Sequence, residues 1–256
     1  MRERGPAGGR VAVIAAALAL LGLAASAAAA SATDAKPLKI GIIGTGHIGG
    51  TLAGLWAKAG HELLLSSRHP SELKSMAQSL GPKVHVGTPR AAASFGEVVL
   101  VSIPYGAEPQ LGKDLAHELA GKIVIDTGNP YPERDGPMAV EARRKGTGVA
   151  SAEFFPGVRL VRAFNAISYK ALGSEAHRAG ELYAIPLAAD DAQALAVAQR
   201  LVRDAGFEPV VVGGLAHAKD FDWGTPVYVK LLTAAQLRQQ LNLPGAAPAA
   251  APLHRN

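Results

Sequence analysis

The chain has 256 residues, 48% of them apolar and 18% charged, and no cysteine. That length suits one sizeable domain with a buried core, and the missing thiols exclude disulfides, thiolate metal sites and cysteine-ligated iron–sulfur clusters. The formal charge of +5 makes no case for nucleic acid, because Arg2, Arg4, Arg10 and Glu3 lie at the very start, the rest carries 23 basic and 20 acidic residues, and no dense Lys/Arg run is interleaved with aromatics.

Arg2, Arg4 and Arg10 precede an apolar stretch from Val11 to Leu23, and Ala28 to Ala32 offers Ala-x-Ala cleavage sites. Residues 1–32 therefore read as an export signal, with an uncleaved anchor as the alternative. Either way the folded part is expected outside the cytoplasm, periplasmic or otherwise extracytoplasmic; a misassigned start would leave it cytoplasmic. Thr33 to Pro37 reads as a polar linker.

From Lys39 the chain reads Lys39-Ile-Gly-Ile-Ile-Gly44-Thr45-Gly46-His47-Ile48-Gly49-Gly50, a short buried strand entering a glycine-rich turn and then a helix. This spacing is the dinucleotide-binding fingerprint: Gly44 for the tight turn, Gly46 for close approach to a diphosphate, Gly49 for packing of helix on strand. The competing reading is an ordinary strand-turn-helix. Leu52, Leu55, Trp56 and Ala59 give the helix one apolar face, Gly60 stops it, and Leu63-Leu64-Leu65 starts a second strand. An NAD site carries an acidic residue after that second strand. Here Ser66-Ser67-Arg68-His69 stands instead, and Ser67 and Arg68 suit the extra phosphate of NADP(H), unless this is simply a polar loop.

Further apolar runs recur at Val84 to Val86, Val98 to Ile103, Ile123 to Ile125 and Leu160 to Phe164. Thr88-Pro89 caps a helix ending near Phe95, and Leu111, Leu115 and Leu119 form the buried stripe of the next, with Asp114, His117 and Glu118 as a solvated face and no metal expected there. Ile185 to Ala188, a helix from about Asp191 to Ala205, and Pro209 to Val212 extend the sheet. A last helix is expected from about Pro226 to Leu241. Residues 242–256 read as a disordered Ala/Pro tail. The alternation predicts an α/β, Rossmann-type, doubly wound and mainly parallel sheet with helices on both faces, extended by a small C-terminal αβ portion. A single NADP-binding domain spans 37–241.

Ligands in such a sheet sit beyond the carboxyl ends of the strands. That selects the glycine turn, Ser66 to His69, Pro104 to Gly106, Thr127 to Pro130, and Asn165 to Ile167. Pro104-Tyr105 is either a strand-ending turn or a cofactor contact. Asn129 could bond the nicotinamide carboxamide, while Asp126 orients its loop. His47 either touches phosphate or faces solvent. Tyr169-Lys170 starts a helix and is not the Tyr-x-x-x-Lys pair of ketone reductases. His217, Lys219, Asp220, Asp222 and Trp223 either close over an acceptor or cap the last helix.

Gly-Thr-Gly-His-Ile-Gly, Ser67-Arg68, Val101-Ser-Ile-Pro104-Tyr105 and Ile125-Asp126-Thr-Gly-Asn129-Pro130 together resemble the NADPH-dependent deazaflavin (coenzyme F-420) reductase family and its bacterial relatives, from about Pro37 to Leu241. The cytosolic domain of six-transmembrane ferric reductases is similar too. The resemblance implies hydride transfer from NADPH to a small-molecule redox acceptor, a deazaflavin, flavin or similar ring, and it favours cofactor contact at Pro104-Tyr105. Relatives often carry a histidine where Asn165 stands, so Asn129, Asn165 and Ile167 become the acceptor-pocket candidates and no proton donor is named. Two alternatives stay open: a cofactor-binding module without turnover that senses redox state or docks, and a small imine or carbonyl reductase resembling pyrroline-5-carboxylate reductase. No nucleic acid or metal partner is expected, and a homodimer is compatible with the reading.

Overall fold

Strand β1 (Lys39–Ile43) lies inside an eight-stranded sheet and leads straight into α1 (His47–Lys58). The computed structural model describes residues 36–245. After β2 (Glu62–Ser66) come a 3-10 turn, α2 (Lys74–Leu80), β3 (Val84–Gly87), α3 (Pro89–Phe95) and β4 (Val98–Val101). Next are α4 (Glu108–Asp114), α5 (Ala116–Leu119) and β5 (Ile123–Asp126). Three helices, α6 (Pro132–Asp135), α7 (Pro137–Lys145) and α8 (Thr147–Phe154), precede β6 (Arg159–Arg162). The chain then forms α9 (Tyr169–Ser174), β7 (Ala184–Ala189), α10 (Ala192–Asp204), β8 (Glu208–Gly213) and α11 (Ala234–Gln240).

The strand order is β3-β2-β1-β4-β5-β6-β7-β8. Pairing is parallel from β3 through β6, β7 joins β6 antiparallel, and β8 follows β7 in parallel. The strands β4 and β5 are buried along their whole length, as a sheet covered on both faces requires. Alternate residues divide between two cores: Ile40, Ile42, Leu100 and Ile125 pack with Trp56, Leu201 and Phe207, whereas Ile43, Val99, Val101 and Val124 pack with Leu115, Leu119 and Phe155. A third cluster holds Val210, Phe221, Val227 and Leu237 beneath the C-terminal strands. This is the expected Rossmann-type sheet. Thr88 caps α3 through its hydroxyl, and Asp191 caps α10.

Four expectations need correction. Residues 226–232 are turns, because Val229 sits at a φ of 52°, which no helix admits, and the capping box of Thr233 and Gln236 starts α11 only there. The leucine stripe from Leu111 to Leu119 is split into α4 and α5 at Leu115. The three helices between Pro132 and Phe154 have no counterpart in the sequence reading, since Gly136 and Gly146 break their period every few residues. Leu243, expected in the tail, packs on the third cluster, and its amide donates to the Arg238 carbonyl. The expected leader at 1–32, most of the linker after it and residues 246–256 lie outside the described residues. Among the described residues no helix is long and apolar enough to cross a membrane.

Candidate functional site

The sheet reverses its winding between β1 and β4, and a cleft of about 550 Å³ opens there beyond the carboxyl ends of the strands. Gly46, His47 and Ile48 line it, and so do Asn129, Asn165 and Ile167. Ser102, Ile103 and Pro104 form part of the wall.

The glycine turn divides its work among its residues. Gly44 takes a φ of 96°, and a Cβ there would come 2.2 Å from the Ser102 carbonyl oxygen. A Cβ on Gly49 would come 2.1 Å from the Gly44 carbonyl oxygen, so α1 approaches β1 more closely than any side chain permits. Gly46, by contrast, is exposed and a Cβ there would meet nothing within 4 Å. The amides of Gly44 and Thr45 both donate to the Ser66 carbonyl, as does the Thr45 hydroxyl. Thr45 therefore fastens the turn to β2 and is not among the residues that line the cleft. Gly46 caps α1 with no side-chain hydrogen bond, so the first helical amides and the positive end of the helix are left for an anion. His47 lies at that end, stacked on Tyr169 at the start of α9 with ring centroids 4.3 Å apart and planes at 19°.

After β2 the side chains separate. Ser66 is fully buried and its hydroxyl donates to the Ile42 carbonyl, while the Ser67 hydroxyl accepts from the His69 amide. Arg68 is exposed beyond the strand end, and neither it nor Ser67 is among the residues that line the cleft.

In the cleft wall, the Asn129 side chain donates to the Asn165 carbonyl at 2.9 Å, and the Oδ1 atoms of both asparagines are buried with no hydrogen-bond partner. Both oxygens are closed off from the open cleft, so these two side chains build its wall from behind. Phe164, in the same wall, has a φ of 61°, a strained conformation for a non-glycine residue that turns the chain sharply into Asn165. Tyr131 and Tyr228, also lining the cleft, bond each other through their hydroxyls at 2.8 Å. Burial, then Tyr131, raises the Tyr228 pKa above the ordinary tyrosine value.

Behind this wall lies a buried charge cluster. Asp126 ends β5 and Arg162 ends β6, paired in register, and neither side chain reaches solvent. Asp126 accepts the Gly128 amide at 2.7 Å and pairs with Arg162, whose guanidinium donates to the Gly128 carbonyl at 2.6 Å. Asp126 thus orients the Thr127–Asn129 loop, as its place in the sequence implied. Burial works against the Arg162 charge, but Asp126 and Asp222 outweigh it and hold the pKa above the ordinary arginine value. Asp222 accepts from the Thr147 amide and hydroxyl at the start of α8; burial raises its pKa against the pull of Arg162. The loop from His217 to Trp223 accordingly caps α8 rather than the last helix, and Trp223 packs edge-on to Tyr131 with Arg143 over its ring.

Tyr105 is turned into the core. Its ring is fully buried, its hydroxyl meets Ser151 at 3.1 Å, and it stands outside the cleft, while its neighbour Pro104 lines it. The sequence reading also passed over Tyr131, Tyr228, Glu108 and Arg162. For Arg162 a signal was present: a guanidinium inside an apolar strand run is buried only against acids.

The family described as NADP oxidoreductase, coenzyme F420-dependent, matches residues 39–130. The F420-dependent NADP reductase of Methanothermobacter marburgensis is 30% identical over 216 residues, covering 78% of this chain and 95% of that protein. The metalloreductase STEAP3 of Rattus norvegicus is 30% identical over 184 residues, 72% of this chain. The chain spans only 36% of that metalloreductase's length. Among solved structures, a candidate F420-dependent NADP reductase of Arthrobacter sp. FB24 is 26% identical with a TM-score of 0.60, covering 71% of this chain and 87% of that one. An uncapped helix end on a glycine turn suits the diphosphate of an NADP oxidoreductase, and the chain belongs to the family of coenzyme F420-dependent NADP oxidoreductases.

Proposed function

We propose that this chain binds NADPH along the cleft and passes its hydride to a flat ring acceptor of the deazaflavin or flavin kind. The observation that carries the reading is the continuity of one cleft from the open amides of α1 to the paired asparagines Asn129 and Asn165. NADPH supplies the hydride when bound. The residues supply the rest: the turn at Gly46 to Ile48 receives the diphosphate, and Arg68 with Ser67 grips the extra phosphate of the adenosine half. The nicotinamide lies against the wall built by Asn129 and Asn165, and Ile167 and Phe164 keep water from the ring.

The acceptor would enter past Tyr131, Tyr228 and Val229, which line the same cleft. Transfer between two flat rings depends on orientation and exclusion of water far more than on proton transfer. The wall fits that demand, since Asn129, Asn165 and Ile167 are amides and hydrocarbon and the two tyrosine hydroxyls are engaged with each other. Purified protein should oxidise NADPH, followed by the absorbance of the reduced nicotinamide, against a panel of deazaflavin, flavin, quinone and ferric chelate acceptors, with turnover greatest on the first two. Arg68→Ala should raise the KM for NADPH about tenfold or more, the worth of one charge-assisted phosphate pair, and leave that for NADH nearly unchanged. Equal affinity of the wild-type protein for NADPH and NADH overturns the assignment of Arg68. Binding without turnover on any acceptor overturns the reductase.

A further inference from the structure

The cluster behind the asparagine wall holds more acid than its one guanidinium can balance. Glu108, in α4, is fully buried beneath the same loop, so close that a Cβ on Gly128 would come 2.0 Å from its Oε1. That oxygen has no hydrogen-bond partner in the fold, and neither has Oδ2 of Asp126, whose contact there is the Arg162 charge. Glu108 Oε2 is left with the Ser151 hydroxyl at 3.5 Å. Burial, then the neighbouring Asp126, pushes the Glu108 pKa well above the usual carboxylate range, as expected of a carboxyl crowded by a second one in a closed interior. Three buried carboxyls, Glu108, Asp126 and Asp222, thus share one buried guanidinium, Arg162, and the cluster holds more acid than base. The nearby Arg134 is neutralised by its partner Asp135.

We infer that this buried excess of acid is a redox-tuning device: Asp222 and Asp126 stabilise the cationic, oxidised nicotinamide relative to the neutral reduced one and so favour surrender of the hydride. The inference rests on the proposed placement of the nicotinamide at Asn129 and Asn165. Its physical basis is that a charge buried in a region of low polarity acts on a neighbouring charge with little screening, and only the oxidised ring is charged. The three acids and Arg162 touch the loop and Asn165 rather than the reacting ring, since Asn165 itself reaches Asp222 at 3.5 Å; they are positioning and tuning residues.

The test measures the dissociation constants of NADP+ and NADPH separately by calorimetry. A structural defect weakens both together, whereas loss of the charge changes their ratio. Asp222→Asn, which removes one of the acids but keeps an acceptor for Thr147, should raise the ratio of the NADP+ constant to the NADPH constant about tenfold. Glu108→Gln replaces a carboxyl whose ionisation burial already opposes with a neutral amide of the same shape, and should leave the ratio within about twofold of wild type. An unchanged ratio in a folded Asp222→Asn protein overturns the inference, and so does a Glu108→Gln shift as large as that of Asp222→Asn. Should Asp222→Asn fail to fold, the wild-type protein decides: NADP+ bound more tightly than NADPH supports the tuning, and the reverse order overturns it. Failure to bind either form would instead sink the proposed function, so the two failures are distinct.

Discussion

Two glycines three residues apart in the turn should fail in different ways. Gly46 has a φ of −86°, which alanine adopts freely, and a Cβ there meets nothing within 4 Å. Gly46→Ala should therefore cost the fold no more than about 1 kcal/mol, the penalty of a poorer helix N-cap. Gly49→Ala has no such room. Its Cβ would lie 2.1 Å from a backbone oxygen of the preceding turn, and backbone has no rotamer to escape into, so α1 must withdraw by about 1 Å, an overpacking that costs about 1–3 kcal/mol. At about 2–4 °C per kcal/mol for a domain of this size, Gly49→Ala should melt roughly 2–12 °C below wild type. Binding separates the pair further. The added methyl of Gly46→Ala projects into the space assigned to the diphosphate and should weaken NADPH by about tenfold or more, equivalent to about 1.4 kcal/mol, in a protein of nearly normal stability. Thermal melts and calorimetric titration of both variants are the assay. Gly46→Ala protein that binds NADPH as tightly as wild type would refute the placement of the diphosphate on this turn, whatever Gly49→Ala does.

Other consequences concern the frame that holds the site. His61 is buried, accepts the Leu38 amide at Nδ1 and meets Asp204 at 2.9 Å through Nε2. Burial lowers its pKa against the pull of Asp204. The folded chain then binds fewer protons there than the unfolded one, so stability present above about pH 6.5 is lost as the pH falls from that value towards the folded pKa. Melting temperature should drop more between about pH 7.5 and 5.5 for wild type than for His61→Gln; equal drops would assign the effect elsewhere. Trp56 donates its ring N–H to the Leu201 carbonyl at 2.9 Å, linking α1 to α10. That carbonyl also receives the Ala205 amide, so Trp56→Phe leaves no acceptor stranded and should cost only about 1–3 kcal/mol, read as a shift in denaturant midpoint without change in slope.

Much of this architecture could be read before any coordinates, and the reason lies in which interactions are local. The turn at Gly44 to Gly49 announces itself because one short segment must be glycine wherever helix and strand touch. The strands β1, β4 and β5 announce themselves as unbroken apolar runs, since both faces are covered. Direction is another matter: Ile185 to Ala188 has the same composition whether it pairs parallel or antiparallel, so its reversal against β6 left no local mark. The cleft wall was only half legible. Asn129 and Asn165 follow strand ends, whereas Tyr228 reaches the cleft from a segment 97 residues beyond its partner Tyr131, a distance no pattern in the chain encodes. Tyr105 was misplaced because the residue after a strand-ending proline can face either side of the turn, and here its ring is drawn into the core beside Ser151.

The placement of the charge cluster follows from strand register rather than from any motif. Parallel pairing sets Asp126 of β5 opposite Arg162 of β6, and antiparallel pairing sets the small Ala188 of β7 against the same arginine from the other side. A long guanidinium can therefore lie over the carboxyl end of the sheet without displacing a neighbour, and it reaches both the Gly128 carbonyl and Asp222. Removing one partner of such a buried pair costs about 3–5 kcal/mol, because the other charge is left unpaired in a dry interior. An equally packed hydrocarbon core would have been no less stable. What hydrocarbon could not do is fix the loop at Gly128 by both its amide and its carbonyl, and it is that loop which brings Asn129 to the cleft.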